Sequence, residues 1–72
     1  MNKDDEILDA IKELANAKGN RLSLTPVYRA VVQRGIYTSN KSIHNALKRL
    51  EICGKIKATE LDSIELLVGE KD

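Results

Sequence analysis

The sequence contains no Phe, no Trp, one proline and one cysteine in 72 residues. With only Tyr28 and Tyr37 as aromatics, the interior has to be filled by Leu, Ile, Val and Ala, which favours small, closely packed helices. The lone Cys53 has no internal disulfide partner, and a single histidine excludes a zinc site built from protein ligands of the usual kind, so no metal, no cofactor and a reduced intracellular setting are expected. No stretch approaches the length of apolar run that spans a bilayer. The opening MNKDDEILDAI sets acids where a secretory leader carries a basic and then an apolar segment. No membrane partner and a cytoplasmic location follow as expectations. A chain of this length forms one domain, 1–72, with no room for a separate catalytic or ligand-sensing unit.

Catalytic patterns are also missing. There is no Gly-rich phosphate loop and no Cys/His pair at close spacing. Ser39, Ser42 and His44 lie close in sequence but lack the third group that would orient a base against a serine on a helix. No catalytic residue is assigned and no enzyme is expected. No small-molecule ligand is evident either.

Charge is present in quantity but nearly cancels, at +1. Its distribution is uneven. Residues 1–19 hold five acids and three bases, net −2; residues 20–57 hold eight bases against Glu51 alone, net +7; residues 58–72 hold five acids and Lys71, net −4. Such segregation creates a local field that the total hides, and its central sign suits a polyanion.

Periodicity supplies the elements. In DDEILDAIKELANAKG, Ile7, Leu8, Ile11, Leu14 and Ala15 recur at helical spacing, acids fill the first turn, and Gly19 supplies a stop, which predicts helix one over about 4–18. RLSL alternates and is too short for a helix, so it reads as a brief strand or extended connector. TPVYRAVVQRG places Thr25 as N-cap, Pro26 at the first helical position and Gly35 at the end, predicting helix two over about 25–34. Ser39 caps a third helix running over about 39–52 and stopped by Gly54. KIKATE and SIELLVG around LDS have hairpin spacing over about 55–68.

The succession of helix, short strand, helix, helix and hairpin, closed by ALKRLEICGKI with its leucines three apart, a Glu, a Gly and then a strand, resembles the winged helix-turn-helix domain over nearly the whole chain. The resemblance implies an α+β fold, mostly α, with a two-stranded wing and with helix three as the recognition helix. It implies duplex DNA as the partner and transcription regulation as the task, most simply repression. Some members of this fold bind proteins or RNA instead, so an adaptor within a larger transcription or replication assembly is the alternative.

Helix three separates into two faces at about 100° per residue: Ile43, Ala46, Leu47 and Leu50 on one side, Lys41, His44, Asn45 and Lys48 on the other. The first face is expected to pack against Val27, Val31 and the helix-one stripe. The second carries donors to purine edges or phosphate and no acid, with Glu51 on one flank. Asn45 suits adenine, Lys41 and Lys48 suit guanine or phosphate, and His44 suits either; Asn40 at the helix start joins them as a base-contacting candidate. Arg21, Arg29, Arg34, Ser39, Arg49, Lys55 and Lys57 are candidates for phosphate contacts. The hairpin tip ELDS is acidic where a minor-groove wing carries Arg or Lys, which argues against a minor-groove role. Tyr37 is expected in the core or the turn, and Cys53 as a small buried side chain. Ile36, Ile52, Leu61 and Leu67 are candidates for exposed apolar surface. A homodimer through helix one and the C-terminal strand is expected, because Leu67 lies opposite Ile64, Leu66 and Val68 on a strand read as a sheet edge.

Overall fold

Gly35 and Gly54 adopt φ of 72° and 78°, and each closes a helix in the same way. The Gly35 N–H donates to the Val32 carbonyl and the Ile36 N–H to the Val31 carbonyl; the Gly54 N–H donates to the Glu51 carbonyl and the Lys55 N–H to the Leu50 carbonyl. These paired bonds satisfy carbonyls that a helix end otherwise leaves open, and they need a left-handed residue that glycine adopts without strain. In the computed structural model, which describes residues 2–60 and 62–67, they end α2 (Leu24–Gln33) and α3 (Asn40–Ile52).

The remaining elements are α1 (Lys3–Lys18), β1 (Arg21–Ser23), β2 (Ile56–Glu60) and β3 (Ser63–Leu66), giving a small, mostly helical α+β domain. Asn2 caps α1 by accepting from the Asp5 N–H at 2.8 Å, with Asp4, Asp5 and Glu6 in the first turn where the helix dipole favours acids. Ser39 caps α3, its hydroxyl accepting from the Ser42 N–H at 3.4 Å. The start of α2 differs from expectation. Ser23, not Thr25, occupies the cap position and its side chain makes no capping bond, so Pro26 falls at the third helical position rather than the first. The cause is tertiary: β1 runs directly into the helix, and the Leu24 N–H is satisfied by the Asp62 carbonyl at 2.7 Å. Pro26 is still tolerated because its missing N–H is among those a helix start leaves unpaired.

The three strands form one antiparallel sheet in the order β1-β3-β2. The short strand is therefore not isolated. Leu22 stands opposite Ile64 on one side of β3, and Ile56 and Ala58 oppose Leu66 and Ile64 on the other. This overturns the reading of the last strand as a sheet edge: β3 is central and paired on both sides, leaving β1 and β2 as the edges. A bulge between Ala58 and Glu60 inserts Thr59, whose hydroxyl oxygen is buried without a hydrogen-bond partner.

One core joins the two halves. Ile7, Ile11 and Ala15 of α1, Val27 and Val31 of α2, the whole predicted inner face of α3, and Leu22, Ile56, Ile64 and Leu66 of the sheet are buried together. Leu8, Leu14, Tyr28 and Tyr37 pack against this core from its rim. Ile36 is buried rather than exposed, because the paired bonds that end α2 fold it back over Val31. Cys53, expected to be buried, is exposed at the C-cap of α3, one residue before Gly54 turns the chain out of the helix. Leu61 and Val68 lie outside the described residues. Among the described residues, no helix is long and apolar enough to cross a membrane.

Candidate nucleic-acid interface

The outer face of α3 is set by its inner one. Because Ile43, Ala46, Leu47 and Leu50 are all buried, the 3.6-residue period leaves Lys41, His44, Asn45 and Lys48 exposed together. Asn40, in the first turn, is exposed beside them. No acid lies in that first turn, so the partial positive charge of the helix N-terminus adds to Lys41 instead of being cancelled. Arg29 of α2 lines the same shallow surface as Asn40, with Tyr28 between the helices, so α2 extends the donor set past the start of α3.

Not every central base belongs to this surface. Arg49 grips Asp4 at the start of α1 through two hydrogen bonds, Nε to Oδ2 at 2.8 Å and Nη2 to Oδ1 at 2.9 Å. The hydrogen bond from Arg49 holds the Asp4 carboxyl below its ordinary range, against a smaller opposing effect of burial, and raises the guanidinium in turn. Arg34 is likewise paired with Glu13 of α1. Both arginines, expected as phosphate contacts, are thus turned onto the acidic first helix. Sequence reasoning missed these pairs because the partners are far apart in the chain; the acids of α1 at Asp4 and Glu13 were the only available hint.

Arg21 and Lys57 take a third position. Their Cα atoms stand opposite Glu65 of β3, one from each side, so the three occupy neighbouring places across the sheet. Opposite charges at such places attract, although among the described residues neither cation closes to an ion pair with Glu65. Lys55 is exposed at the root of the hairpin, where its carbonyl accepts from the Leu67 N–H at 3.0 Å.

Between α3 and the hairpin lies a cleft. His44, Lys48 and Glu51 line its α3 side, Leu24 and Tyr28 of α2 its floor, and Ile56, Ala58 and Glu60 its hairpin side. The acids Glu51 and Glu60 therefore border the basic face on one side only, while Arg29 and Asn40 border the other. Sequence reading placed Glu51 on that flank but had no means of bringing Glu60 to it.

Tyr37 is half-buried against the core, with the Lys3 ammonium 4.8 Å from its ring centre, which ties the α2–α3 connection to α1. Large apolar side chains are exposed at Ile52, 84% accessible, and to a lesser degree at Val32 and Leu67. Comparison of the chain with protein-family models, with curated proteins and with solved structures returns no match.

Proposed function

We propose that this chain is a winged helix-turn-helix protein that binds duplex DNA sequence-specifically and regulates transcription, most simply as a repressor that occludes a promoter. In this reading α3 lies in the major groove and the β2–β3 hairpin is the wing. The observation that carries it is the solvent face of α3: Lys41, His44, Asn45 and Lys48 project together without an acid among them, while Arg34 and Arg49 are held elsewhere by α1. An ordinary solvated helix places acids one turn from its lysines, as α1 does with Asp9 and Lys12; on α3 Lys48 has such an acid in Glu51, on the flank, and Lys41 has none.

In this reading Asn40, Lys41, His44, Asn45 and Lys48 meet base edges, and Arg21, Arg29, Ser39, Lys55 and Lys57 meet phosphates. The acidic hairpin tip stays out of the minor groove. One such helix covers few base pairs, so two copies related by a twofold axis read half-sites about one helical turn apart. The joining surface is α1, whose acids keep it off DNA, together with Leu67, 40% exposed just beyond β3. Sedimentation at micromolar concentration tests the dimer; a single-chain mass that persists on concentrating and on adding DNA excludes it.

Titration against random duplex DNA at two salt concentrations tests the reading itself. With about five phosphates met per protomer, log K falls against log salt with a slope of about −4 to −5. A salt-insensitive complex, or none at low salt, removes DNA as the partner. The near-complete exposure of Ile52 favours a second reading in that event, a winged-helix adaptor that docks on protein through apolar surface.

A further inference from the structure

We propose that Glu60 is a specificity-determining residue that accepts a hydrogen bond from the N4 amino group of a cytosine in the major groove, an inference that rests on the duplex-DNA reading above. Glu60 lines the cleft between α3 and the hairpin, and His44 and Lys48 line the same cleft from the opposite element. A base edge that enters this cleft beside His44 and Lys48 therefore also faces the Glu60 side of it. The ion pairs among the described residues are Arg34–Glu13 and Arg49–Asp4, and Glu60 takes part in neither. Glu51, the other acid of the cleft, sits three residues after Lys48 on the same helix, the spacing at which a helix matches opposite charges. The bulge sets Glu60 opposite Ser63, on the sheet face that carries Lys57, and among the described residues the two form no ion pair.

A carboxylate at a DNA-facing cleft repels phosphate, so it lowers affinity for every sequence equally unless some base offers it a donor. The major-groove edges narrow the choice. Guanine presents only acceptors there and thymine an acceptor and a methyl group, while adenine sets the N7 acceptor beside its amino group; cytosine offers an amino donor with no acceptor on its own ring edge. The apolar side chains of the cleft strengthen the discrimination. Leu24, Leu47, Ile56 and Ala58 limit the water available to Glu60 once DNA closes the cleft, so a wrong base leaves the carboxylate desolvated and unpaired. The bulge at Thr59 supplies the placement, because it breaks the register just before Glu60 and re-aims the end of β2.

The test is selection of duplexes from a randomised library by the full chain and by Glu60→Gln, with affinity for unselected duplex measured alongside at low salt. The wild-type chain is expected to enrich cytosine at one position. Glu60→Gln is expected to lose that enrichment by about tenfold or to convert it to adenine, which pairs with a carboxamide, while binding unselected duplex more tightly. If Glu60→Gln tightens every sequence by one factor and selects the same sites, Glu60 only repels and the inference is overturned. A wild-type pool with no cytosine position overturns it too, and leaves the DNA reading standing. Failure of the wild-type chain to retain any duplex overturns both.

Discussion

Asp4 and Arg49, 45 residues apart in the chain, meet through two hydrogen bonds that fasten the last turn of α3 to the first turn of α1. The pair fixes α3 at its far end from the Ser39 cap, so the orientation of the exposed donor face is set at both ends of the helix. It also places a titratable group in charge of that attachment.

Acid should loosen it. The folded-state pKa of Asp4 lies below the ordinary 3.8, so its ionised form favours the fold. That contribution is complete above the ordinary value and is lost as pH falls through the lowered one. Melting temperatures measured from neutral pH down to about 2 should therefore fall less steeply for Asp4→Asn than for the wild type in the acid range, with the variant the less stable at neutral pH. Parallel curves at all pH values would mean that the attachment contributes nothing.

Asn45→Ala separates reading from clamping. The side chain is exposed and forms no hydrogen bond among the described residues, so the variant should melt as the wild type does. Discrimination between selected and random duplex should drop by about 1–3 kcal/mol, with the salt slope unchanged. Unfolding of this variant would show that the phase assigned to α3 is wrong.

Arg29 within α2 and Arg34 at its C-cap should behave oppositely. Arg29→Ala removes an exposed cation beside Asn40 and should flatten the salt slope by about one unit. Arg34→Ala removes a cation already matched by Glu13 and should leave the slope in place. Equal effects from the two would count against the division of charge between the α1 side and the α3 side.

Thr59→Val tests the bulge. The Thr59 hydroxyl oxygen is buried without a partner, and a methyl group of the same shape removes that cost without opening a cavity. The variant should gain about 1 kcal/mol in chemical denaturation. A loss of stability instead would show that the hydroxyl finds a solvent partner in solution.

What could be read from the residues was local. Gly35 and Gly54 end α2 and α3 where expected because a left-handed cap is a property of a few neighbouring residues. The inner face of α3 was legible from spacing alone, since Ile43, Ala46, Leu47 and Leu50 keep one helical phase. The start of α2 was not, because Leu24 enters the helix through a bond to Asp62 that no local pattern contains. Nor was the central place of β3, which follows from a register joining Leu22 to Ile64 across α2, α3 and β2. The donor face of the candidate site was legible for the same reason as the core beneath it. The removal of Arg34 and Arg49 to α1 and the arrival of Glu60 at the cleft depend on the packing of distant elements.

The order β1-β3-β2 also bears on how the domain is made. During vectorial synthesis β1 and β2 both leave the ribosome before the one strand that can bridge them, so neither has a ladder to join until residues 63–66 emerge. Until then Leu22 and Ile56 have no strand partner, and the core they share with the three helices lacks Ile64 and Leu66. Neither edge can therefore pair before β3 is made, and a chain interrupted before it holds helices without the sheet that packs against them.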